Sequence, residues 1–197
     1  MAQFTIATVL AMRAHLDETH PAGFAKSISN VPIPGILGIK NPRTWDIEDP
    51  NTEIGYLNSH EVSSLIQHKG FRLWGNRTCS AEPEFAFEVA TRTAQFLLDT
   101  IIAGCFPFID APMTPTTVRD IIDSINAKLR QLVTGGYLIG AECWYNNDLN
   151  NAQDLSQGKL YIDYDYTPVP VLENLSLSQR ITSTYLIDFA QLVQQAG

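Results

Sequence analysis

Apolar residues recur at helical spacing in several parts of the chain. The clearest case begins at Thr114, which suits an N-cap, and Pro115, which suits the first helical residue, and it lasts until Gly135. Apolar positions three or four residues apart mark other segments in the same way. The pattern predicts five helices, at about Phe4–Thr19, His60–Gln67, Pro83 or Glu84 to Ala103, Pro115–Leu132 and the segment from Tyr185 to Val193.

Strict alternation of apolar and polar residues marks the best-defined strand, at Lys159–Thr167. Asp163 and Asp165 belong to its polar face, and Pro168 restricts further pairing to one side. Other extended segments are predicted at Val31–Ile33, Ile36–Ile39, Phe71–Trp74 and Tyr137–Tyr145. Helices and strands follow one another in a mixed order, which predicts an α+β fold with a mixed sheet packed by helices.

Charge and composition exclude several classes of function. The 197 residues include 13 basic and 21 acidic side chains, so the formal net charge is −8. An acidic chain has no excess of Lys and Arg to neutralise phosphates, which argues against nucleic-acid binding. No apolar run reaches the length of a membrane span, and three widely spaced cysteines indicate reduced thiols. Charged residues make up only 17% of the chain, which indicates that much of the surface contacts other protein.

The sequence carries no local signature of an enzyme. Cys105 and Cys143 lie among apolar residues, where a buried and inert thiol is the usual outcome. The four histidines all precede the cysteines and share no motif with them. Asp163 and Asp165 are a candidate cation pair, but adjacent carboxylates on one strand face are usually its solvated side. We therefore expect no catalytic, cofactor-binding or metal-binding residues.

The segment Gly70–Thr78 combines bulky aromatic residues with two arginines around a tight turn. Arg72 and Arg77 are hard to bury alone, so each is expected to fork onto a carboxylate or a set of carbonyls. Together with Trp74 and Asn76, the two arginines form a predicted structural motif that locks the end of a strand against the core.

Further ordered blocks follow this segment along the chain. They are Cys79-Ser80, Thr91–Ala94, Pro112–Thr114, Arg119–Asp123, Ile125–Leu129, Leu172–Leu175 and Gln179-Arg180. The strongest block runs from Gly158 to Pro170, and Leu10–Ala14 adds one near the start. Together these blocks resemble the C-terminal part of tail sheath proteins from contractile-tailed bacteriophages and the related R-type pyocins. The likeness extends over nearly the whole chain.

The resemblance implies a structural protein that has neither catalytic activity nor a cofactor. Subunits of this family stack as six-membered rings around a tail tube and contract to drive the tube through the host envelope. The expected partners are further copies of the chain, the tail tube protein, and baseplate and tail-terminator proteins, without nucleic acid or membrane. The expected location is the virion tail, assembled in the cytoplasm of the bacterial host.

In this family, terminal arms of neighbouring subunits add strands to a sheet of the C-terminal domain. The resemblance therefore implies a core domain over residues 1–172 and an extended C-terminal arm over residues 173–197 that can donate a strand. The sheet residues expected to accept a strand are Leu160, Ile162, Tyr164 and Tyr166. The arm residues expected to make the contact are Leu175, Leu177, Ile181, Tyr185 and Phe189. The charged helix residues expected to face the tube are Arg119, Lys128 and Arg130.

Several alternatives stay open at this point. Full-length family members carry an N-terminal arm and outer domains upstream of the matched region, so we expect either a truncated or a shortened gene product with an unpaired sheet edge. The machine is either a phage tail or a phage-derived contractile particle or secretion system of the pyocin kind. The remaining alternative is a stand-alone soluble thiol hydrolase that pairs a histidine with Cys79, Cys105 or Cys143.

Overall fold

The computed structural model describes residues 2–195, which form helices and short strands. In chain order these elements are α1 (Ala2–Thr19), α2 (Glu53–Ser59), β1 (Ser64–Gln67), β2 (Phe71–Trp74), α3 (Glu88–Cys105), α4 (Pro115–Thr134), β3 (Leu138–Tyr145), α5 (Ala152–Ser156), β4 (Ile162–Pro168) and α6 (Leu186–Gln195). Single turns of 3₁₀-helix lie at Gly23–Ala25, Pro83–Phe85 and Phe106–Phe108. The α+β class that the mixed element order predicts is confirmed.

The strands of residues 2–195 form two separate antiparallel sheets of two strands each, where the sequence predicted one mixed sheet. β1 pairs with β2, and β3 pairs with β4. Lys69 and Gly70 turn the first hairpin, and both have the positive φ angles, 49° and 101°, that favour a tight turn. The short turn between β1 and β2 permits only an antiparallel pair, whereas β3 and β4 pair antiparallel across a longer connection that contains α5.

The main core lies between α3, α4 and the sheet of β3 and β4. Leu97 of α3 and Leu129 of α4 are completely buried in it, and Cys143 attaches β3 to the same cluster. The ring of Phe24 stacks on Phe96 of α3, with 3.9 Å between the ring centroids. The helices thus cover one face of the small sheet and leave its other face to solvent.

The start of α4 follows the capping pattern of its sequence. The hydroxyl of Thr114 accepts a hydrogen bond from the N–H of Thr117 at 3.1 Å, and Pro115 occupies the first turn. Gly136, with a φ angle of 73°, follows the last turn. The buried residues of this helix are Ile125, Leu129 and Leu132. The predicted helix is therefore confirmed, and its apolar face packs on β3.

A smaller apolar cluster joins α1 to the hairpin of β1 and β2. Its buried members are Met12, Ile33 and Leu73. The extended segments predicted around Val31–Ile33 and Ile36–Ile39 are irregular here, apart from one isolated bridge between Pro32 and Arg72. A proline has no N–H to donate, so this segment pairs with the hairpin at single positions and not as a continuous strand.

The predicted helix over His60–Gln67 is wrong. The helix of this region, α2, lies before it and is capped by Thr52, whose hydroxyl accepts from the N–H of Gly55 at 3.1 Å. Ser64–Gln67 form β1 instead, because pairing with β2 buries the side chain of Ile66. A short apolar run fits either a helix or a strand, and here the tertiary contact decides.

The long helix α3 begins at Glu88, a few residues after the Pro83 or Glu84 predicted from the sequence. The N–H of Thr78 donates to the carbonyl of Ala86 at 2.8 Å, so the chain just before the helix is held extended. Pro83–Phe85 form a single 3₁₀ turn that precedes this extended link.

Beyond β4 the chain runs without regular structure until α6. The helical spacing between Tyr185 and Val193 is confirmed by α6. In the stretch after β4, residues 172–186 are exposed at every position, up to the first residue of α6. We call residues 169–173 the arm root and residues 174–195 the free arm.

Candidate assembly surfaces

β4 turns one face to the core and one to solvent, as its alternating sequence predicts. The half-buried residues that contact the main core are Ile162, Tyr164 and Tyr166. Asp165, between two of them, is exposed. Burial raises the pKa of the Tyr166 phenol, and the neighbouring Tyr164 raises it further. Leu160 lies before β4 and lines an apolar groove beside Val118 of α4, so it is close to the sheet but not part of the strand.

The ladder between β3 and β4 places different residues at the two edges of the sheet. Cys143 lies opposite Tyr164, and both main-chain polar groups of Cys143 bond to the side chain of Asn126. These groups therefore point away from β4, which makes the pair a non-hydrogen-bonded one. The main-chain groups of Tyr164 then point outward too, as do those of Ile162 and Tyr166, two residues away on either side.

Asn126 of α4 closes the outer edge of β3 at its centre. Its amide nitrogen donates to the carbonyl of Cys143 at 2.8 Å, and its amide oxygen accepts from the N–H of Cys143 at 2.9 Å. This amide takes the place of one residue of a further strand. Within residues 2–195 nothing equivalent accepts from the amide of Tyr164 on β4. At the centre of the sheet, the open edge is therefore that of β4.

The free arm exposes a series of large apolar side chains. The predicted arm residues, between 64% and 95% exposed, are Leu175, Leu177, Ile181, Tyr185 and Phe189. Leu192 and Val193 extend the exposed apolar surface along α6. Apolar surface of this extent is typical of a segment that another protein covers.

α3 carries a second exposed apolar stripe. Leu98 and Ile102 of α3 and Phe106, the residue directly after it, recur every four residues, and each is more than half exposed. Side chains at this spacing lie on one face of a helix, so the three form a continuous surface. The domain therefore has exposed apolar surface on its body as well as on its arm.

Arg77 holds the arm root to the body of the domain. Its Nε donates to Oε1 of Glu173 at 2.9 Å and its Nη2 to Oε2 at 2.7 Å, which makes a bidentate ion pair. This hydrogen bonding raises the pKa of the Arg77 guanidinium and lowers the pKa of the Glu173 carboxyl. Among the described side chains, it is the one hydrogen-bonded or ionic link from residues 169–195 to the rest of the chain.

Arg72 makes the other fork of the Gly70–Thr78 segment. Its Nε donates to the carbonyl of His68 at 3.0 Å, and its Nη1 donates to the carbonyl of Asn30 at 2.7 Å. Arg72 thus binds carbonyls while Arg77 binds a carboxylate. These are the two kinds of acceptor that the sequence predicts for buried or half-buried arginines.

The turn between the two arginines is closely packed. Trp74 meets Trp45 edge-on, with 5.0 Å between ring centroids. Gly75 has a φ angle of 131°, and a Cβ atom there would lie 2.8 Å from a neighbouring Cα atom, so only glycine fits. The carbonyl of Asn76 accepts from the N–H of Glu88 at 2.9 Å and so joins the turn to the start of α3.

The charged residues expected to face the tube lie on two flanks of α4. At about 100° per residue, Arg119 and Arg130 lie about 20° apart around the helix, whereas Lys128 lies about 180° from Arg119. Arg119 and Arg130 are exposed. Lys128 is half-buried and donates to Gln131 at 3.3 Å. The structure therefore brings Arg119 and Arg130 onto one face and leaves Lys128 on another.

The three cysteines do not form an activated thiol site. Burial raises the pKa of the Cys143 thiol to about 11, and burial also raises the pKa of Cys105. Cys79 is exposed and free. Within residues 2–195, none of the three is hydrogen-bonded to a histidine. A nucleophilic thiol needs a low pKa, whereas burial raises the pKa of both Cys105 and Cys143.

Metal-ligating residues are scattered over the described part of the chain. No three His, Cys, Asp or Glu side chains of residues 2–195 come together. Of the candidate pair on β4, Asp163 accepts a hydrogen bond from Asn146 at 2.5 Å and Asp165 is exposed. None of the helices in residues 2–195 combines the length and the apolar character that crossing a membrane requires.

A network of four charged residues, which the sequence did not reveal, joins α1 to α3. Arg13 donates to Asp17 at 2.8 Å and to Glu88 at 3.1 Å, and Arg92 donates to Asp17 at 2.6 Å. Burial raises the pKa of the Glu88 carboxyl, although Arg13 acts in the opposite direction. Arg13 and Glu88 are 75 positions apart, so no local pattern indicates their contact.

The chain is similar in sequence to known phage proteins. Residues 80–182 match the family model described as the phage tail sheath C-terminal domain. The chain is also 47% identical over 190 residues to the tail sheath protein of Escherichia phage P2, with 96% of this chain and 48% of that protein covered. The chain belongs to the phage tail sheath family. The resemblance carried by the sequence blocks is thereby confirmed.

A second curated relative of this chain is also a phage tail sheath protein. The major tail sheath protein of Serratia phage KSP20 is 44% identical over 180 residues, with 91% of this chain and 45% of that protein covered. The chain thus spans about half the length of the curated relatives it matches. Both relatives are tail sheath proteins of phages, so the family to which this chain belongs is one of structural sheath proteins.

Solved structures with the same fold come from contractile injection machines. The sheath complex of the extracellular contractile injection system PVC, in its contracted state, has a TM-score of 0.76 at 17% identity, with 89% of this chain and 50% of that chain covered. The contracted helical sheath of the anti-feeding prophage has a TM-score of 0.70 at 18% identity, with 82% and 46% covered. At this identity the likeness establishes the fold of the sheath domain alone.

Proposed function

We propose that this chain is the self-assembling domain of a contractile tail sheath. Copies stack as six-membered rings around the tail tube, and the array contracts to drive the tube through the host envelope. The observation that carries the proposal is the free arm, which exposes its apolar residues while the edge of β4 stays open. Membership of the sheath family supports the same role.

The chain works in this proposal through contacts between subunits and not through catalysis. The raised pKa values of the Cys105 and Cys143 thiols support a role without covalent chemistry. Its partners are further copies, the tail tube protein, and the baseplate and tail-terminator proteins. Its place is the virion tail, after assembly in the host cytoplasm.

We place the strand addition at the open edge of β4. Its acceptor groups are the outward main-chain N–H and C=O of Ile162, Tyr164 and Tyr166, whereas on β3 the central groups, those of Cys143, are occupied by Asn126. The donor is the free arm of a second copy. Added strands contribute main-chain hydrogen bonds and place alternate side chains against the acceptor. Donor and acceptor are different parts of the chain, so the contact is head-to-tail and propagates.

Two matched double variants test this strand addition in the complete gene product that carries this sequence. Leu175→Asp with Leu177→Asp places two charges on one face of an extended arm, and Ser176→Asp with Ser178→Asp places the same charges on the opposite face. We expect the first pair to abolish sheath tubes in negative-stain electron micrographs and the second pair to leave them. Equal effects of the two pairs, or normal tubes from the first, overturn the proposal.

We propose that Arg119 and Arg130 face the tail tube, because both are exposed on one flank of α4. Arg119→Glu with Arg130→Glu reverses both charges of this flank, and Lys128→Glu reverses a single charge on the other side of the helix. Co-sedimentation of sheath with purified tube measures the result. We expect the double variant alone to lose binding, and loss through Lys128→Glu alone contradicts this orientation.

We favour a phage tail over a phage-derived particle of the pyocin kind. The support is the 44–47% identity to two phage tail sheath proteins, against 17–18% to the sheaths of injection machines. Electron microscopy of particles that contain the complete gene product tests the choice. We expect sheathed tails attached to DNA-filled heads, and headless particles alone contradict it.

A further inference from the structure

The arm root contacts the rest of the domain as far as Glu173, and the chain after Glu173 is exposed. Pro168 and Pro170 restrict its backbone, and Val171 is the last half-buried residue before the exposed stretch. Glu173 then makes the bidentate contact with Arg77. From residue 174 to residue 185 every side chain is exposed. Glu173 is therefore the last residue whose position the body of the domain determines.

Arg77 is itself held firmly, so the contact transmits the position of the body to the arm. Its backbone forms an isolated antiparallel bridge with Phe87, immediately before α3. Its guanidinium carbon also lies 4.9 Å from the centre of the Phe87 ring. Two parallel N–H···O bonds fix the orientation of a carboxylate as well as its distance.

We infer that the fork between Arg77 and Glu173 is a latch that sets the direction in which the free arm leaves the domain. The destination of the arm, a second copy, rests on the proposed function, whereas the latch rests on the contacts above. An arm whose first residue points in one direction searches a smaller volume than one released at Pro168, so its effective concentration at a neighbour is higher. Arg77 and Glu173 act as positioning residues for the strand addition.

The latch is able to open because it is partly solvated. The side chains of Arg77 and Glu173 are 37% and 41% exposed. A pair of this kind shifts an equilibrium by only a few-fold and is screened by salt. It therefore biases the arm without holding it permanently.

The experiment measures the arm direction in this chain, in dilute solution. Spin labels are attached to Asp120→Cys, an exposed site on α4, and to Leu177→Cys in the free arm, with Cys79→Ser as the background. Glu173→Gln removes the charge of the latch, and Glu18→Gln removes the same charge from an exposed site on α1. We expect Glu173→Gln to broaden the distance distribution, with the latched fraction falling about two- to five-fold, and Glu18→Gln to leave it unchanged.

Salt and a second variant separate the latch from a merely local packing role. Raising the salt from about 0.05 M to about 1 M screens the ion pair, so it broadens the parent distribution and not that of Glu173→Gln. Arg77→Lys keeps the charge but loses the bidentate fork, and we expect an intermediate width. An unchanged distribution in Glu173→Gln, or parent and variant responding alike to salt, overturns the latch.

Electron microscopy of the complete gene product then connects the latch to assembly. We expect Glu173→Gln to form tubes more slowly or at higher protein concentration than the parent. Normal assembly of a variant with a broadened distribution overturns the positioning role. Absence of tubes from the parent protein overturns the proposed function, while the label distances still decide the latch.

Discussion

The side chain of Asn126 offers the sharpest test of how the sheet edge is organised. Asn126→Ala removes the amide that binds both main-chain groups of Cys143. The N–H and carbonyl of Cys143 then lose their partners at a buried position. β3 gains an open edge at its centre, in addition to the open edge of β4.

The expected destabilisation follows from the two hydrogen bonds and the helix. Each neutral hydrogen bond contributes about 0.5–1.5 kcal/mol net, so the two together contribute about 1–3 kcal/mol. Alanine also favours the helix over asparagine by about 0.5 kcal/mol, which offsets part of the loss. Asp123→Ala, at an exposed position of α4, brings a similar gain in helix propensity without breaking these bonds. The difference between the two variants isolates the amide contacts.

Urea unfolding followed by tryptophan fluorescence measures the free energies, and Trp144 lies next to Cys143 on β3. We expect Asn126→Ala to be about 1–3 kcal/mol less stable than Asp123→Ala. Hydrogen exchange of the Cys143 amide should rise by about five-fold or more, since 1.4 kcal/mol corresponds to a factor of ten and the expected loss is about 1 kcal/mol or more. Equal stability of the two variants, together with unchanged exchange at Cys143, refutes the claim that Asn126 closes this edge.

Three further predictions concern other parts of the domain. Burial raises the pKa of Glu88, so this group stabilises the fold below the ordinary carboxyl pKa and loses that contribution as the pH rises through the raised value. In urea unfolding, Glu88→Gln should therefore gain stability relative to the parent between about pH 4 and pH 7, and a constant difference in stability contradicts this. Deleting residues 174–197 keeps the fork to Glu173, so the thermal unfolding temperature should stay the same while tubes of the complete gene product disappear; unchanged tubes count against the arm. At pH 8 a thiol reagent should modify Cys79 and leave Cys143, whose pKa is about 11, so rapid modification of Cys143 in the folded chain shows that its burial is wrong.

Local signals in the sequence were sufficient where the structure is decided locally. α4 begins with a cap and a proline that need no distant partner, and its prediction is confirmed. The alternation of β4 likewise fixes which side chains face the core. The apolar spacing of residues 60–67 fits a helix as well as a strand, so the sequence predicts a helix there, and only pairing with β2 selects the strand.

At the candidate assembly surfaces, the sequence singles out some of the residues involved but does not identify their contact partners. The sequence predicts that Arg77 forks onto a carboxylate or a set of carbonyls, but its partner Glu173 lies 96 positions away and no spacing rule identifies it. Asn126 reads in the sequence as an ordinary helix residue, and only the placement of α4 against β3 gives it a role at the sheet edge. Two residues on one helix, Arg119 and Lys128, were grouped by charge, although helical geometry places them on opposite sides.

Under the proposed strand addition, the amide of Asn126 also limits where a neighbouring arm can pair. The main-chain groups of Cys143 are already occupied, so the centre of β3 cannot accept a strand, whereas that of β4 can. An incoming arm is thereby directed to one of the two edges of this sheet. With the amide removed, the centre of β3 becomes a second place for pairing, and a misplaced contact competes with the intended one.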